Sequence, residues 1–377
     1  MDLLKKLSSF KKPRPVVINP LRTPRGTVSL SYLTECFDEK NGYKANYGHT
    51  NHFECQTIAS IFRDLGFRIE VVGYNNTDYV PPADCAVAID IHSNLERWDG
   101  TLSPKTKRVL HATGAQWQFW NMAEYRRLQA VFERSGRTLF PRRQVATSRG
   151  IDVAEVATVI GNDWTMGTFA HAGKRLERVL LSSSYEYPWA EDRDFETARR
   201  RFVWLGSYGM VHKGLDLVLE AFKKMPQYEL TVCGRAEKEW DFYQLYQEHL
   251  TKTPNIHFES WMDLSSEKFE EIRRTHAGMI YPSSAEGCAG SIVHCAHGGL
   301  VPIVTRETGF DIGDYGMRVA NGTVEAVIEA VETFANLPAI EVECRARATL
   351  EFVQKNHTRA LFETNYRRFA EKLVAGI

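Results

Sequence analysis

The sequence predicts an α/β chain of two Rossmann-like domains with parallel sheets, and three observations predict it. Short apolar runs of strand length alternate with segments of helical periodicity along most of the chain. A length of 377 residues suits two cores of ordinary size better than one. Two of the apolar runs end in glycine-bearing turns that lead at once into a helix, which leaves those turns at the carboxyl ends of parallel strands. No repeat of solenoid length and no low-complexity tract interrupts the pattern.

Residues 1–15 read as a basic amphipathic tail, with Leu3, Leu4, Leu7 and Phe10 on one helical face and Lys5, Lys6, Lys11 and Lys12 around it. Residues 1–12 can rest on an anionic membrane surface or form a frayed end. The interleaved lysines do not make a signal-peptide core, and no apolar run approaches the roughly 20 residues that span a bilayer. A first domain over 16–185 carries strands at 16–18, 28–32, 68–72, 84–91, 107–111, 156–160 and 177–181. Its helices begin at Thr50 after the polar 38–48 loop, cover 119–134, and start again near Trp164. Serines, acidic residues, aromatics and Pro188 place a linker at 186–198. A second domain over 199–350 follows, with a helix at 323–336, and 351–377 ends the chain with a helix at 358–372.

Lys plus Arg and Asp plus Glu both number 47, and this zero formal charge argues against a broadly basic nucleic-acid binder. The seven cysteines are odd in number and form no Cys-x-x-Cys pair. They read as reduced thiols of a cytoplasmic protein, with neither a disulfide framework nor a zinc site.

Residues 286–302 hold Glu286 in a glycine-bearing turn between the apolar run 277–281 and a short helix that Gly298-Gly299 ends before the next strand. In an open parallel sheet a polar ligand binds at such a turn; the alternative is an ordinary solvated carboxylate. Residues 201–224 run from a strand through Gly206 and Gly209 into an amphipathic helix near Gly214, so Lys213 stands at a helix N-terminus. Free amides, the helix dipole and an ammonium group would converge there on an anion such as a diphosphate, a surface lysine being the alternative.

Gly206, Lys213-Gly214, the leucine-rich helix to Phe222, Pro282-Ser283, Glu286-Gly287, Gly298-Gly299 and Pro302 together resemble the second domain of the retaining, family-4 type (group 1) glycosyltransferases with the GT-B fold. The resemblance implies two domains facing each other across a cleft, with the last helix packing back on the first. It implies transfer of a sugar, with retention, from a nucleotide-diphosphate sugar to a hydroxyl of a glycan, lipid or other acceptor, with no metal or other cofactor required. Lys213 would stabilise the departing diphosphate and Glu286 would lie near the donor sugar. His111 matches a family histidine close to that sugar, a packing role being its alternative. The implied donor-binding set is Gly206, Ser207, Gly209, Lys213, Arg235, Glu286, Gly287, Cys288, Ala289, Gly290, Ser291 and His294.

The sequence departs from the family at several points. The second glutamate of the motif is His294, whose neutral imidazole offers the ribose one acceptor nitrogen. The arginine that often follows the first glycine is Ser207, with Arg235 as its expected replacement. The family's double glycine is missing from the 38–48 loop; His49 and His52 beyond it fit the phosphate or acceptor side better than a metal site. Trp117 and Trp120 read as core with sugar stacking as the alternative, and the turn 162–165 could meet either substrate. These departures keep two alternatives open: a silent sugar-nucleotide-binding or scaffold protein of this fold, and a nucleotide-sugar epimerase.

Overall fold

The computed structural model describes residues 14–37 and 49–377. The tail segment expected at a membrane surface and the 38–48 loop lie outside the described residues. The chain divides into two compact units, one of residues up to His111 with Ser148–Thr158 and Glu363–Ile377, the other of Ala112–Thr147 and Val159–Phe362.

In the first unit, β1 (Val16–Ile18), β2 (Thr27–Tyr32), β3 (Arg68–Gly73), β4 (Cys85–Asp90), β5 (Lys107–Ala112) and β6 (Val156–Ile160) follow the order β1-β3-β2-β4-β5-β6. The pairings of β2 with β3 and β4, and of β4 with β5, are parallel, whereas β1 is an antiparallel edge on β3. Strand β2 is an interior strand, flanked by β3 and β4, and all six of its residues are buried. Its two serine hydroxyls find partners there: Ser29 meets the Tyr79 hydroxyl at 2.9 Å and Ser31 accepts from Asn94 at 2.9 Å. Helix Thr50–Asp64 turns Cys55, Ile58, Ile61 and Phe62 inward. The end of the C-terminal helix belongs to this unit, where Arg367 pairs with Asp64 at 3.2 Å.

In the second unit the strand expected at 177–181 is β7 (Arg175–Val179), two residues earlier. Beyond it, β8 (Arg201–Leu205), β9 (Glu229–Cys233), β10 (Ile256–Phe258), β11 (Gly278–Tyr281), β12 (Val301–Val304) and β13 (Met317–Arg318) form one sheet in the order β10-β9-β8-β11-β12-β13. Every pairing in it is parallel. The chain builds outward from β8 through β9 to β10, then returns to lay β11 on the other side of β8. That reversal makes the β8–β11 boundary a topological switch point, where loops at the carboxyl ends part and leave room for a ligand. Helix Leu215–Lys224 anchors the sheet with Leu215, Leu217, Val218, Leu219, Ala221 and Phe222 fully buried.

Residues 112–147 and 159–198 are part of the second unit. Buried charge helps to hold them there. Within that unit Arg134 reaches the buried Asp216 at 2.6 Å, Arg127 donates to the Pro282 carbonyl at 2.6 Å, and Arg193 donates to the carbonyls of Gly299 and Gly298 at 2.6 and 2.9 Å.

Candidate functional site

The loop after β8 closes on itself. The Lys213 amide donates to the Gly209 carbonyl at 3.0 Å, Gly214 to Val211 at 3.0 Å and Leu215 to Met210 at 2.9 Å. Gly209 and Gly214 take φ of +89° and +74°, and a Cβ at Gly214 would stand 2.5 Å from the Pro282 carbonyl oxygen. The buried Glu239 carboxylate accepts from the amides of Gly209 and Met210, the latter at 3.1 Å. Burial raises the pKa of Glu239, and these amides offset that only in part. The amides of residues 209, 210, 213, 214 and 215 are thus taken by the loop's own carbonyls and by Glu239, and the lysine side chain is the cation on offer. Lys213 is 7% exposed, with Nζ 3.4 Å from the Ser207 hydroxyl. Burial lowers its pKa to about 8, Glu286 resisting the fall and Arg143 adding to it.

The turn after β11 is clamped from several sides. Glu286 donates its amide to the Glu307 carbonyl at 2.8 Å, and its Oε1 accepts from Ser283 at 3.1 Å. Its Oε2 lies 3.8 Å from Arg143 Nη2. A Cβ at Gly287 would meet the Thr113 carbonyl oxygen at 2.3 Å, and one at Gly309 would meet the Gly287 carbonyl oxygen at 1.4 Å. Thr165 donates to that same Gly287 oxygen at 3.0 Å, and the Asn162 amide group reaches the Arg306 carbonyl at 3.1 Å. Residues 162–165 therefore brace the turn. The Ala289 amide, expected on the sugar, donates to the Thr308 carbonyl at 3.0 Å. Cys288 is half-buried beside it, and Gly290 and Ser291 open helix Gly290–His297.

His212 ties the two loops together. Its Nδ1 lies 2.6 Å from Glu124 Oε2, its Nε2 lies 2.6 Å from the Ala285 carbonyl oxygen, and its own carbonyl accepts the Ser284 amide at 2.9 Å. The two ring nitrogens thus face acceptors on opposite sides, a carboxylate and a backbone carbonyl. Trp120 stacks on this ring with centroids 4.9 Å apart. Glu124 also accepts the amides of Arg142 and Arg143 at 2.8 and 3.2 Å. Burial alone would raise the Glu124 pKa, but His212 and the two amides hold it below the ordinary carboxylate value.

Sequence reasoning missed Glu124, His212, Arg143 and Glu239. His212 had a signal in its position beside Lys213, whereas Glu124 and Arg143 lie on a helix and a loop remote in sequence. Trp120 is 6% exposed and packs with Ala115 and Ala285, which agrees with the core reading.

Three further expected residues have partners of their own. His111, expected to face a crevice, is fully buried in the first unit, with Nδ1 2.7 Å from the Thr158 hydroxyl and its ring edge-on to Tyr32 and Tyr366. Burial brings its pKa down to about 4, so the ring is neutral and packed. His294 is 5% exposed, and its Nε2 accepts the Ser184 amide at 3.2 Å, which uses the acceptor nitrogen expected for a ribose. Arg235 is exposed and lays its guanidinium 4.4 Å above the Trp261 ring. His49 and His52 stand with ring centroids 5.7 Å apart at the start of helix Thr50–Asp64. Among the described residues no group of three His, Cys, Asp or Glu side chains is placed to hold a metal ion, and no helix is long and apolar enough to cross a membrane.

Residues 199–337 match the family model described as glycosyl transferases group 1. No curated protein matches the sequence. Among solved structures, Anabaena HepE in complex with UDP and glucose is similar at 10% identity and a TM-score of 0.57, over 93% of this chain and 99% of that one. WaaG, a glycosyltransferase involved in lipopolysaccharide biosynthesis, is similar at 14% identity and a TM-score of 0.53, over 93% of this chain and all of that one. At such identities the likeness speaks for the fold.

Proposed function

From a GT-B fold whose residues 199–337 are of the group 1 glycosyl transferase type, we propose that this chain transfers a sugar from a nucleotide-diphosphate donor to an acceptor hydroxyl on a glycan, lipid or other molecule. The observation that carries the proposal is the pairing of Lys213 and Glu286 on the two loops that part at the β8–β11 switch point, each 7% exposed and joined through His212. An ammonium in that position neutralises the charge that grows on a departing diphosphate. Glu286 has oxygen lone pairs left beyond its bond from Ser283, and these accept the hydroxyls of a sugar.

In the reaction, the bond from the anomeric carbon to the diphosphate oxygen breaks as the acceptor oxygen bonds that carbon, and the acceptor proton passes to the departing phosphate. The retained configuration, the independence from metal and the hexose-like sugar are parts of the proposal that rest on family resemblance. A cytoplasmic setting is supported by seven cysteines that are all free thiols.

The test is turnover across a panel of nucleotide sugars, with and without acceptor mixtures, for the wild type, Lys213→Ala and Glu286→Ala. Donor breakdown or transfer by the wild type, lost in both variants with melting temperature retained, supports the assignment. Conversion of the sugar without an acceptor would indicate an epimerase, and binding without turnover a silent protein.

A further inference from the structure

We propose that Arg143 is the second cation of the donor site, taking the diphosphate together with Lys213. This rests on the transferase reading and deepens it. Three observations point the same way.

The first is that the loop after β8 commits many of its amides. Those of residues 209, 210, 213, 214 and 215 are engaged by Glu239 or by the loop's own carbonyls. A diphosphate carries more negative charge than one lysine balances, and a second side-chain cation would offset it.

The second is the state of the Arg143 guanidinium. It donates no hydrogen bond among the described residues, and its Nε is buried without a partner. Its nearest anion is Glu286, at 3.8 Å from Nη2, which is an ion-pair distance too long for a hydrogen bond. A planar fork of five donors left open beside an ammonium suits a phosphate group, which it can grip through two oxygens.

The third is that the arginine is held in place. Its backbone amide is bound by Glu124 at 3.2 Å and its carbonyl by the Trp120 indole, while its guanidinium lies 5.1 Å over the Trp120 ring. Arg142, its neighbour, is fixed by Asp241 at 2.6 Å. The stem rests on Gly209, where a Cβ would stand 2.2 Å from Arg143 Cγ. A side chain so placed loses little freedom on binding. Its charge also contributes to the low pKa of Lys213, as expected of two cations awaiting one anion.

The experiment is calorimetric titration of UDP, GDP, ADP and inorganic pyrophosphate into the wild type, Arg143→Met, Arg143→Lys and Arg235→Ala. Arg143→Met keeps the apolar stem over Trp120, so that a fall in affinity is not a fall in folding; melting without ligand checks this. The expected result is a roughly 10- to 100-fold weaker diphosphate in Arg143→Met, partial recovery in Arg143→Lys, unchanged preference among the bases, and wild-type affinity in Arg235→Ala. Wild-type affinity in Arg143→Met overturns the role of Arg143 and leaves the transferase reading intact. A wild type that binds none of the four probes overturns both.

Discussion

The imidazole of His212 and the carboxylate of Glu124 meet at 2.6 Å with neither side chain more than 2% exposed, and this buried pair links the lysine loop to the glutamate turn. The other ring nitrogen reaches the Ala285 carbonyl, one residue before Glu286. Placement of both candidate groups thus depends on a helix about ninety residues upstream of the lysine loop.

Removing Glu124 leaves His212 Nδ1 and the amides of Arg142 and Arg143 buried without their acceptor. Glu124→Ala is expected to lose on the order of 3–5 kcal/mol of stability in urea unfolding. A loss below about 1 kcal/mol would show that the pair does not hold the loops.

The same pair gives a pH signature. The pKa of Glu124 is lower in the fold than in the unfolded chain. Its contribution to stability is therefore present above the ordinary carboxylate value and lost as pH falls through the lower folded value. Glu124→Gln should flatten the acid limb of the stability curve relative to the wild type; parallel acid limbs would count against the pairing.

Lys213 behaves in the opposite sense. Its pKa falls from 10.5 to about 8 on folding, so the folded chain binds fewer protons between those values and its stability rises with pH across that window. Lys213→Met should lack the rise and be more stable than the wild type near pH 7, by on the order of 1–3 kcal/mol. Anion binding needs the ammonium, so diphosphate affinity should fall as pH climbs above about 8. Affinity flat from pH 7 to 10 would separate Lys213 from the anion.

Gly309 takes a φ of +72° with the Gly287 carbonyl oxygen 1.4 Å from where its Cβ would be. Gly309→Ala must displace the turn that carries Glu286. An expected loss of more than about 2 kcal/mol, with donor turnover reduced beyond what unfolding explains, can be read from unfolding and rate measurements on the same sample. Wild-type stability would mean that the turn is not clamped.

Much of this was legible in the sequence. Period and glycine placement located β8, β11, the helix from Leu215 and the turn of Glu286, because each is set by local patterning. Helix Glu267–Thr275 escaped, since only Phe269, Ile272 and the aliphatic part of Arg273 turn inward from a polar segment. At His111 and His294 the sequence is silent on what surrounds the ring. Position at the end of a strand or at a motif site does not reveal whether a ring faces a cavity or is packed, as His111 is between Tyr32 and Tyr366. Arg143 and Glu124 were illegible because their meaning comes from long-range packing on His212 and Gly209, which leaves no periodic trace.

The central claim is that Lys213 captures the diphosphate of a sugar nucleotide at the switch point. Titrating UDP, GDP and ADP into the wild type and Lys213→Ala tests it most directly. The account predicts that the wild type binds at least one of the three and that the variant, still folded, binds it at least roughly tenfold more weakly. Equal affinity in the two proteins, or no binding by the wild type, would contradict it.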